Sequence, residues 1–406
     1  MDALSRLRVL DLSDERGFLA GKILGDLGAD VIKVEPPDGD PSRGRGPFLH
    51  AEPGRERSLP WMALNTSKRG ITLELESREG REIFRRLSAG SDVVLESFEP
   101  GALERCGLGF ESLREENAGL VMCAMTPFGQ DGPYAAYEGH DLVIVAMGGN
   151  QAMTGDAARP PLRCSMPTST YHAAPEAVLG ILMALYAREE TGRGDYVDVS
   201  MHECQLATLI SGPGQHALSG RLGKRAGAYM GRTREIWPTK DGYVSFGLRG
   251  GPSRIPNLVA TVEYMAECGA APDWLRDYDW QQYSHITASD EELARLEEAF
   301  GGFFRFRSMR ELYDEALARR ILLAPCNDAR EILEQPQLRE RELFVTLEYP
   351  ELGASIEHPD FFARAGLGRI GIRWPAPRVG EHNGEIFGEL GLDARELERL
   401  AREGVI

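Results

Sequence analysis

Short apolar runs alternate with helix-spaced segments through the first two hundred residues. This rhythm constrains the fold more than any other feature of the chain. Leu7–Leu12 (LRVLDL) reads as a buried strand, Leu19–Leu27 as a helix closed by Gly28, and Val31–Val34 (VIKV) as a second strand stopped by Pro36 and Pro37. Ile71–Leu75 reads as a strand and Ser77–Leu87 as a helix with Ser77 at its start. Asp92–Leu95 and Leu120–Met125 are two further strands. Strands that are apolar throughout are buried on both faces, and the intervening helices supply the crossovers that parallel pairing requires. The pattern predicts an α/β domain built on a parallel, Rossmann-like sheet.

Beyond residue 170 the period changes. His172–Arg188 has the spacing of one long helix, with Ala173, Ala177, Ile181, Leu182 and Leu185 on one side and Thr191–Gly194 (TGRG) ending it. Tyr196–Val199 alternates as a strand, and an apolar helix is expected to run through Ile210. Ser211–Gly231 is rich in Gly and Ser and reads as a linker. Glu235–Phe246 reads as a hairpin turning at Lys240-Asp241-Gly242, and Gly247–Gly251 (GLRGG) as a flexible loop. Helices rich in Glu, Arg and Leu follow to about Ile321. The division expected is a large domain over 1–210, a linker over 211–231, a small domain over 232–323 and a return to the large domain over 324–406, with a helix from near Asp393.

Composition excludes several functions. With 46 basic and 63 acidic residues the formal net charge is −17, so neither nucleic acid nor an anionic membrane is an expected partner. A polyanionic ligand would have to be met by a local basic cluster. Cys106, Cys123, Cys164, Cys204, Cys268 and Cys326 lie far apart, without Cys-x-x-Cys or zinc-ligand spacing. They read as reduced thiols of a cytoplasmic protein, and no metal is expected. Met1–Leu10 lacks the apolar core of a signal peptide. Ala177–Ala187, the longest apolar helical stretch, is shorter than the roughly 20 residues that span a bilayer. The turn after the first strand, Ser13–Gly17 (SDERG), has no Gly-x-Gly-x-x-Gly, which argues against a dinucleotide cofactor.

Six local motifs follow one another in a fixed order. They are Gly25–Pro36 (GDLGADVIKVEP), Asn65–Leu73 (NTSKRGITL), Glu96–Gly101 (ESFEPG) with Arg105, Phe128–Tyr134 (FGQDGPY), Thr191–Gly194, and Pro375–Arg378 with Gly380-Glu381-His382. In this order they resemble the class III CoA-transferases, a family that includes the formyl-CoA and carnitine CoA-transferases and the α-methylacyl-CoA racemases. The resemblance implies a Rossmann-like large domain with an inserted smaller α+β domain, and two chains threaded through each other as an interlocked-ring dimer. It also implies transfer of coenzyme A between an acyl-CoA and a free carboxylic acid, with CoA as substrate and no permanently bound cofactor.

Phosphates call for guanidinium or ammonium groups and free backbone N–H donors. Arg43 and Arg45 in Asp40–Gly46 (DPSRGRG), with Lys68, Arg69 and Arg105, match the family's nucleotide-binding positions, as do Ser97 and Phe98. Ser97 stands where the family usually has Asn. In the family an aspartate just before the long helix attacks the thioester, since a carboxylate leaves as readily as it attacks. Counting back from Gly180 places Thr170 there, with Ser169 and Tyr171 beside it and no acid. Glu176 is six residues further on, a net rotation of about 240° around a helix. Asp156 lies on another loop. Asp141 belongs to a Gly139-His140-Asp141 motif that family members carry in addition to the nucleophile. His140 reads either as a structural histidine or as a racemase-type base that would need an opposed second base. His172 reads as a packing or capping residue of the long helix. The missing acid and the short, charged Ser13–Gly21 loop are similar to Asp-lacking subunits of heteromeric family members, such as those acting on benzylsuccinate. The expected partner is a homologous Asp-bearing subunit or a second copy. The alternatives are a self-sufficient transferase or isomerase, and an acyl-CoA-binding protein without activity.

Overall fold

A computed structural model describes residues 2–366 and 368–406. The first two hundred residues form a six-stranded parallel sheet of β1 (Arg8–Asp11), β2 (Asp30–Glu35), β3 (Lys68–Thr72), β4 (Val93–Glu96), β5 (Val121–Thr126) and β6 (Tyr196–Ser200), in the order β3-β2-β1-β4-β5-β6. This is a doubly wound α/β arrangement, and the strand order reverses between β1 and β4. Most strand residues are buried, as the continuous apolar runs predict.

Helices cover both faces. On one side α1 (Phe18–Asp26), α3 (Asp141–Met147) and α4 (Thr168–Thr191) close a core of Leu24, Val93, Ile144, Ala177 and Ile181. On the other, α2 (Arg78–Ala89) and two C-terminal helices (Asn383–Glu389, Ala394–Arg402) close a core of Ile83, Phe84, Ile386, Phe387 and Leu400. Ser77 starts α2 as expected, its hydroxyl accepting the Gly80 N–H at 2.8 Å. Gly192, at φ 66°, ends α4 in the left-handed region that favours glycine. The C-terminal segment is stitched along β3: Ser67 N–H donates to Trp374 O, Thr72 N–H to Asn383 Oδ1 and Glu74 N–H to Val405 O.

The chain divides into two compact units. The first comprises Met1–Gln151, Arg163–Leu222 and Gln337–Ile406, and the second Ala152–Leu162 and Gly223–Pro336. The second unit holds the short pair β7 (Tyr229–Met230) and β8 (Thr233–Arg234). It also holds an antiparallel sheet of β9 (Ile236–Pro238), β10 (Tyr243–Phe246) and β11 (Leu323–Pro325), packed around Trp237, Phe246, Phe300 and Phe304. In the first unit β12 (Phe344–Tyr349) and β13 (Ala354–Pro359) form a hairpin.

Five local expectations change. The third strand begins at Lys68, because Lys68 and Arg69 are paired with acids inside the fold and are no obstacle to burial. The segment after β6 is a short helix, Met201–Cys204, followed by a 3-10 turn, Gln205–Thr208. Within Ser211–Gly231 a helix spans Gly212–Ser219, framed by Pro213 near its start and Gly220, at φ 67°, at its end. Residues 324–336 group with the second unit because β11 pairs with β10. The loop Gly247–Gly251 is anchored: Leu248 is fully buried, and the Gly250 N–H donates to His285 Nδ1 at 3.2 Å.

Candidate functional site

In an open α/β sheet, ligands collect beyond the carboxyl ends of the strands where the order reverses. Here that point lies between the loops after β1 and β4. The two loops are clasped together: Ser97 Oγ accepts the Asp14 N–H at 2.9 Å and donates to Asp14 Oδ1 at 2.9 Å. Arg16 forks the same carboxylate at 2.8–3.0 Å. Around this clasp, Arg45 is exposed and pairs with Glu15, and Phe98 is partly exposed. Arg105 is exposed on the short helix Ala102–Arg105, 3.9 Å from Glu99. Gly101, at φ 76°, sets the start of that helix.

Three of the other sequence-predicted ligands are drawn inward. The Arg43 side chain is fully buried. It grips Glu35 bidentately at 2.6 and 2.8 Å, reaches Glu56 at 2.9 Å and Pro377 O at 2.9 Å, and stacks 3.8 Å over Trp61. Lys68 is also fully buried, bound to Asp11 Oδ2 at 2.7 Å, Phe18 O at 2.9 Å and Asn65 Oδ1 at 2.9 Å. Lys33 joins it through the carbonyls of Asp11 and Ser13. Burial pushes the Asp11 carboxyl up, but the cations of Lys68 and Lys33 and the hydrogen bonds from Lys68 and Ser13 outweigh it and hold the group below its ordinary value. α1 sits directly on this pair, since a Cβ at Gly21 would lie 2.2 Å from Asp11 Oδ2. Arg69 is committed to Asp30, Glu385 and Glu389. The expected basic set therefore splits: Arg43, Lys68 and Arg69 brace the fold, and Arg45 and Arg105 face outward.

The second focus is the start of α4. It begins four residues earlier than the periodicity indicates, and its N-cap position, Pro167, offers no side-chain cap. Asp141, at the start of α3, supplies one from outside. Its Oδ1 accepts the Ser169 N–H at 2.9 Å and the Ser169 hydroxyl at 2.7 Å. Thr170 is buried beside it, and His140 is exposed. His172 lies inside the second turn of α4, so the expected role at the helix opening passes to Asp141. The Glu176 carboxylate is exposed, further along the helix.

Sequence reasoning missed three features. The Asp14–Ser97 clasp joins residues 83 positions apart. Glu96, at the end of β4, is pushed up to about 7 by burial and by Glu104 and Asp198, although it accepts the Phe98 N–H at 2.6 Å. Two adjoining hollows beside β6 are lined by Asp131, Glu176, Asp198 and Glu203. Glu96 and Ser97 lie in the ESFEPG motif and Asp131 in the FGQDGPY motif, but nothing within those segments shows the clasp, the raised carboxyl or the acidic groove. Among the described residues no group of three or more His, Cys, Asp or Glu side chains is placed to hold a metal, and no helix is long and apolar enough to cross a membrane.

Residues 4–383 match the family model described as CoA-transferase family III. The chain belongs to CoA-transferase family III. The succinyl-CoA:(R)-benzylsuccinate CoA-transferase subunit BbsE of Thauera aromatica is 35% identical over 404 residues, covering 99% of this chain and 98% of that protein. The succinyl-CoA–D-citramalate CoA-transferase of Chloroflexus aurantiacus is 34% identical, with 99% and 98% covered. Among solved structures, a CaiB/BaiF family protein from Brucella suis superposes with a TM-score of 0.82 at 28% identity, covering 95% of this chain and 98% of that one. Membership of family III makes this an enzyme-family chain whose chemistry concerns CoA thioesters.

Proposed function

We propose that this chain is the Asp-lacking subunit of a cytoplasmic, heteromeric family III CoA-transferase. A homologous Asp-bearing subunit performs the covalent chemistry, and the two chains form the interlocked-ring dimer that the family resemblance implies. One observation carries this reading. The start of α4 presents the hydroxyls of Ser169 and Thr170, and the one carboxylate that bonds there among the described residues, Asp141, accepts both hydrogen bonds from Ser169. A threonine alkoxide is far more basic than a carboxylate and leaves poorly, so an ester at Thr170 would stall CoA exchange. The nucleotide half of CoA is assigned to the crevice at the strand-order reversal, with Arg45, Arg105 and Phe98 facing it and Arg43, Lys68, Arg69 and Ser97 shaping it from within. Relatives named for succinyl-CoA with (R)-benzylsuccinate or D-citramalate, and one named for succinate and glutarate, support a dicarboxylic acid as the acceptor.

The test is to assay the chain expressed alone, then co-expressed with an Asp-bearing homologue from the same genome, with succinyl-CoA and a panel of dicarboxylic acids. Transfer is expected only in the pair. Robust transfer by the chain alone overturns the proposal, and saturable CoA binding without turnover in either case would leave a binding protein.

A second reading has one specific observation behind it. Because Asp141 reaches the start of α4, a self-sufficient transferase could use it as a substitute nucleophile. Borohydride trapping during turnover, followed by mass spectrometry, separates the two: modification at Asp141 supports self-sufficiency, and its absence removes that reading. An isomerase using His140 would require a second base opposite it, where Thr170 stands. The absence of α-proton exchange in deuterium oxide would dispose of it.

A further inference from the structure

α4 is apolar on more than its core-facing side. Ala173, Ala177, Ile181 and Leu185 are buried, yet Leu179, Met183 and Tyr186 are 53%, 63% and 77% exposed on another side of the same helix. Leu206 and Ile210, just beyond β6, are exposed as well. A helix that is apolar all round is normally covered all round, and a contiguous apolar patch of this kind marks an interaction surface. β6 is the last strand of its sheet, with no strand paired beyond it among the described residues.

The charge beside this surface is specific. One hollow of about 220 Å3 has Phe128 and Tyr134 as walls and Asp131, Asp198, His202 and Glu203 around it. A second, of about 360 Å3, runs from Glu176 and Gly180 on α4 across Val197 to Cys204, sharing Asp198 and Glu203 with the first. Among the described residues none of these four carboxylates has a cationic partner. Asp198 accepts only a backbone bond, from the Gln130 N–H at 3.0 Å, and burial raises its pKa. Carboxylates between aromatic faces make a seat for a guanidinium, which pairs with the acids and stacks on the rings. A two-fold contact centred on this groove would set Asp198 and Glu203 against their own copies, and each copy carries a net charge of −17.

We infer that the α4–β6 face is the docking surface for a subunit of different sequence, which lays an apolar strip over Leu179, Met183 and Tyr186 and inserts arginine side chains into the acidic groove. This rests on the heteromeric reading above and names the chemistry of the partner that reading requires. The experiment refolds the full-length chain together with the Asp-bearing homologous subunit from its genome, because linked rings form only as the chains fold, and measures their apparent dissociation constant by sedimentation velocity between 50 and 500 mM NaCl, for wild type and for Asp198→Asn/Glu203→Gln. Wild-type pairing should weaken steeply with salt. The double variant should bind at least about 10-fold more weakly at low salt, with a flatter salt dependence. Because both carboxylates are unpaired, the variant should keep the wild-type melting temperature, and Met183→Gln, tested alongside, should weaken pairing without changing the salt slope. Pairing that is unaffected by the double variant overturns the groove assignment alone. A tight homodimer of the chain that the double variant loosens makes a second copy the occupant and overturns the inference. Failure of the wild-type chains to pair at all overturns the heteromeric reading itself.

Discussion

Two sets of acids in the same unit meet opposite fates. Under β1–β3, Asp11 and Glu35 are fully buried and each holds a buried cation, Lys68 and Arg43 respectively. Beside β6, Asp131, Glu176, Asp198 and Glu203 line an open groove, and among the described residues none of them is paired with a cation. Removing a charge from water costs several kcal/mol, and a buried carboxylate persists only with a hydrogen-bonded partner. The first set therefore has to be satisfied within the chain. The second can wait for a partner, because water solvates it meanwhile. The difference teaches why a basic residue next to a motif need not meet a ligand: Arg43 and Lys68 are buried against internal acids and are closed to an external polyanion.

The largest expected effect breaks the first half of that comparison. Arg43→Ala strands Glu35 in the interior and should cost about 3–5 kcal/mol in urea denaturation, whereas Arg43→Met combined with Glu35→Leu should recover most of the loss. A cost below about 1 kcal/mol for the single change would mean that the buried set is not internally braced. Next, Arg45→Ala and Arg105→Ala should each raise the CoA dissociation constant of the assembled enzyme about 3–10-fold, with no change in stability. Equal weakening by Arg69→Lys, a charge-conserving change at an internal brace, would contradict the split between inward and outward cations. Asp141→Ala removes the external cap of α4 and should destabilise the chain by about 1 kcal/mol. If Asp141 were the nucleophile, transfer would be abolished as well.

A smaller effect concerns pH. Glu96 is raised to about 7 in the folded chain from an ordinary 4.5, so the folded state binds more protons than the unfolded state between those values. Stability then falls as pH rises from about 4.5 to 7. Glu96→Gln, which keeps an acceptor for Phe98, should flatten that slope and raise the melting temperature at pH 8 by roughly 1–3 °C. The smallest effect completes the contrast. Asp198→Asn/Glu203→Gln should leave the stability of the isolated chain within about 0.5 kcal/mol.

Much of the fold was legible because buried parallel strands have to be apolar along their whole length. β1, β2, β4 and β5 followed from that rule, β6 from its alternation and the start of α2 at Ser77 from capping chemistry, whereas β3 was placed late because its charged opening, Lys68-Arg69, is paired with acids of the fold. The hairpin around Lys240–Gly242 was legible from its turn residues. The site was less legible. Arg43, Lys68 and Arg69 look like any other basic residues in a glycine-rich or strand-flanking segment, and nothing local shows that Glu35, Asp11 and Asp30 will claim them. The start of α4 was placed late because its cap comes from Asp141, 28 residues away.

By itself the sequence determined the α/β class, the family and the absence of an acid at Thr170, since each depends on residue type and on spacing along the chain. Only the tertiary structure decided which cations remain available, which carboxylate reaches the helix start, and which acids are left unpaired beside β6. Those outcomes depend on distances between residues far apart in the chain, and charge pairing is settled by proximity and burial rather than by order.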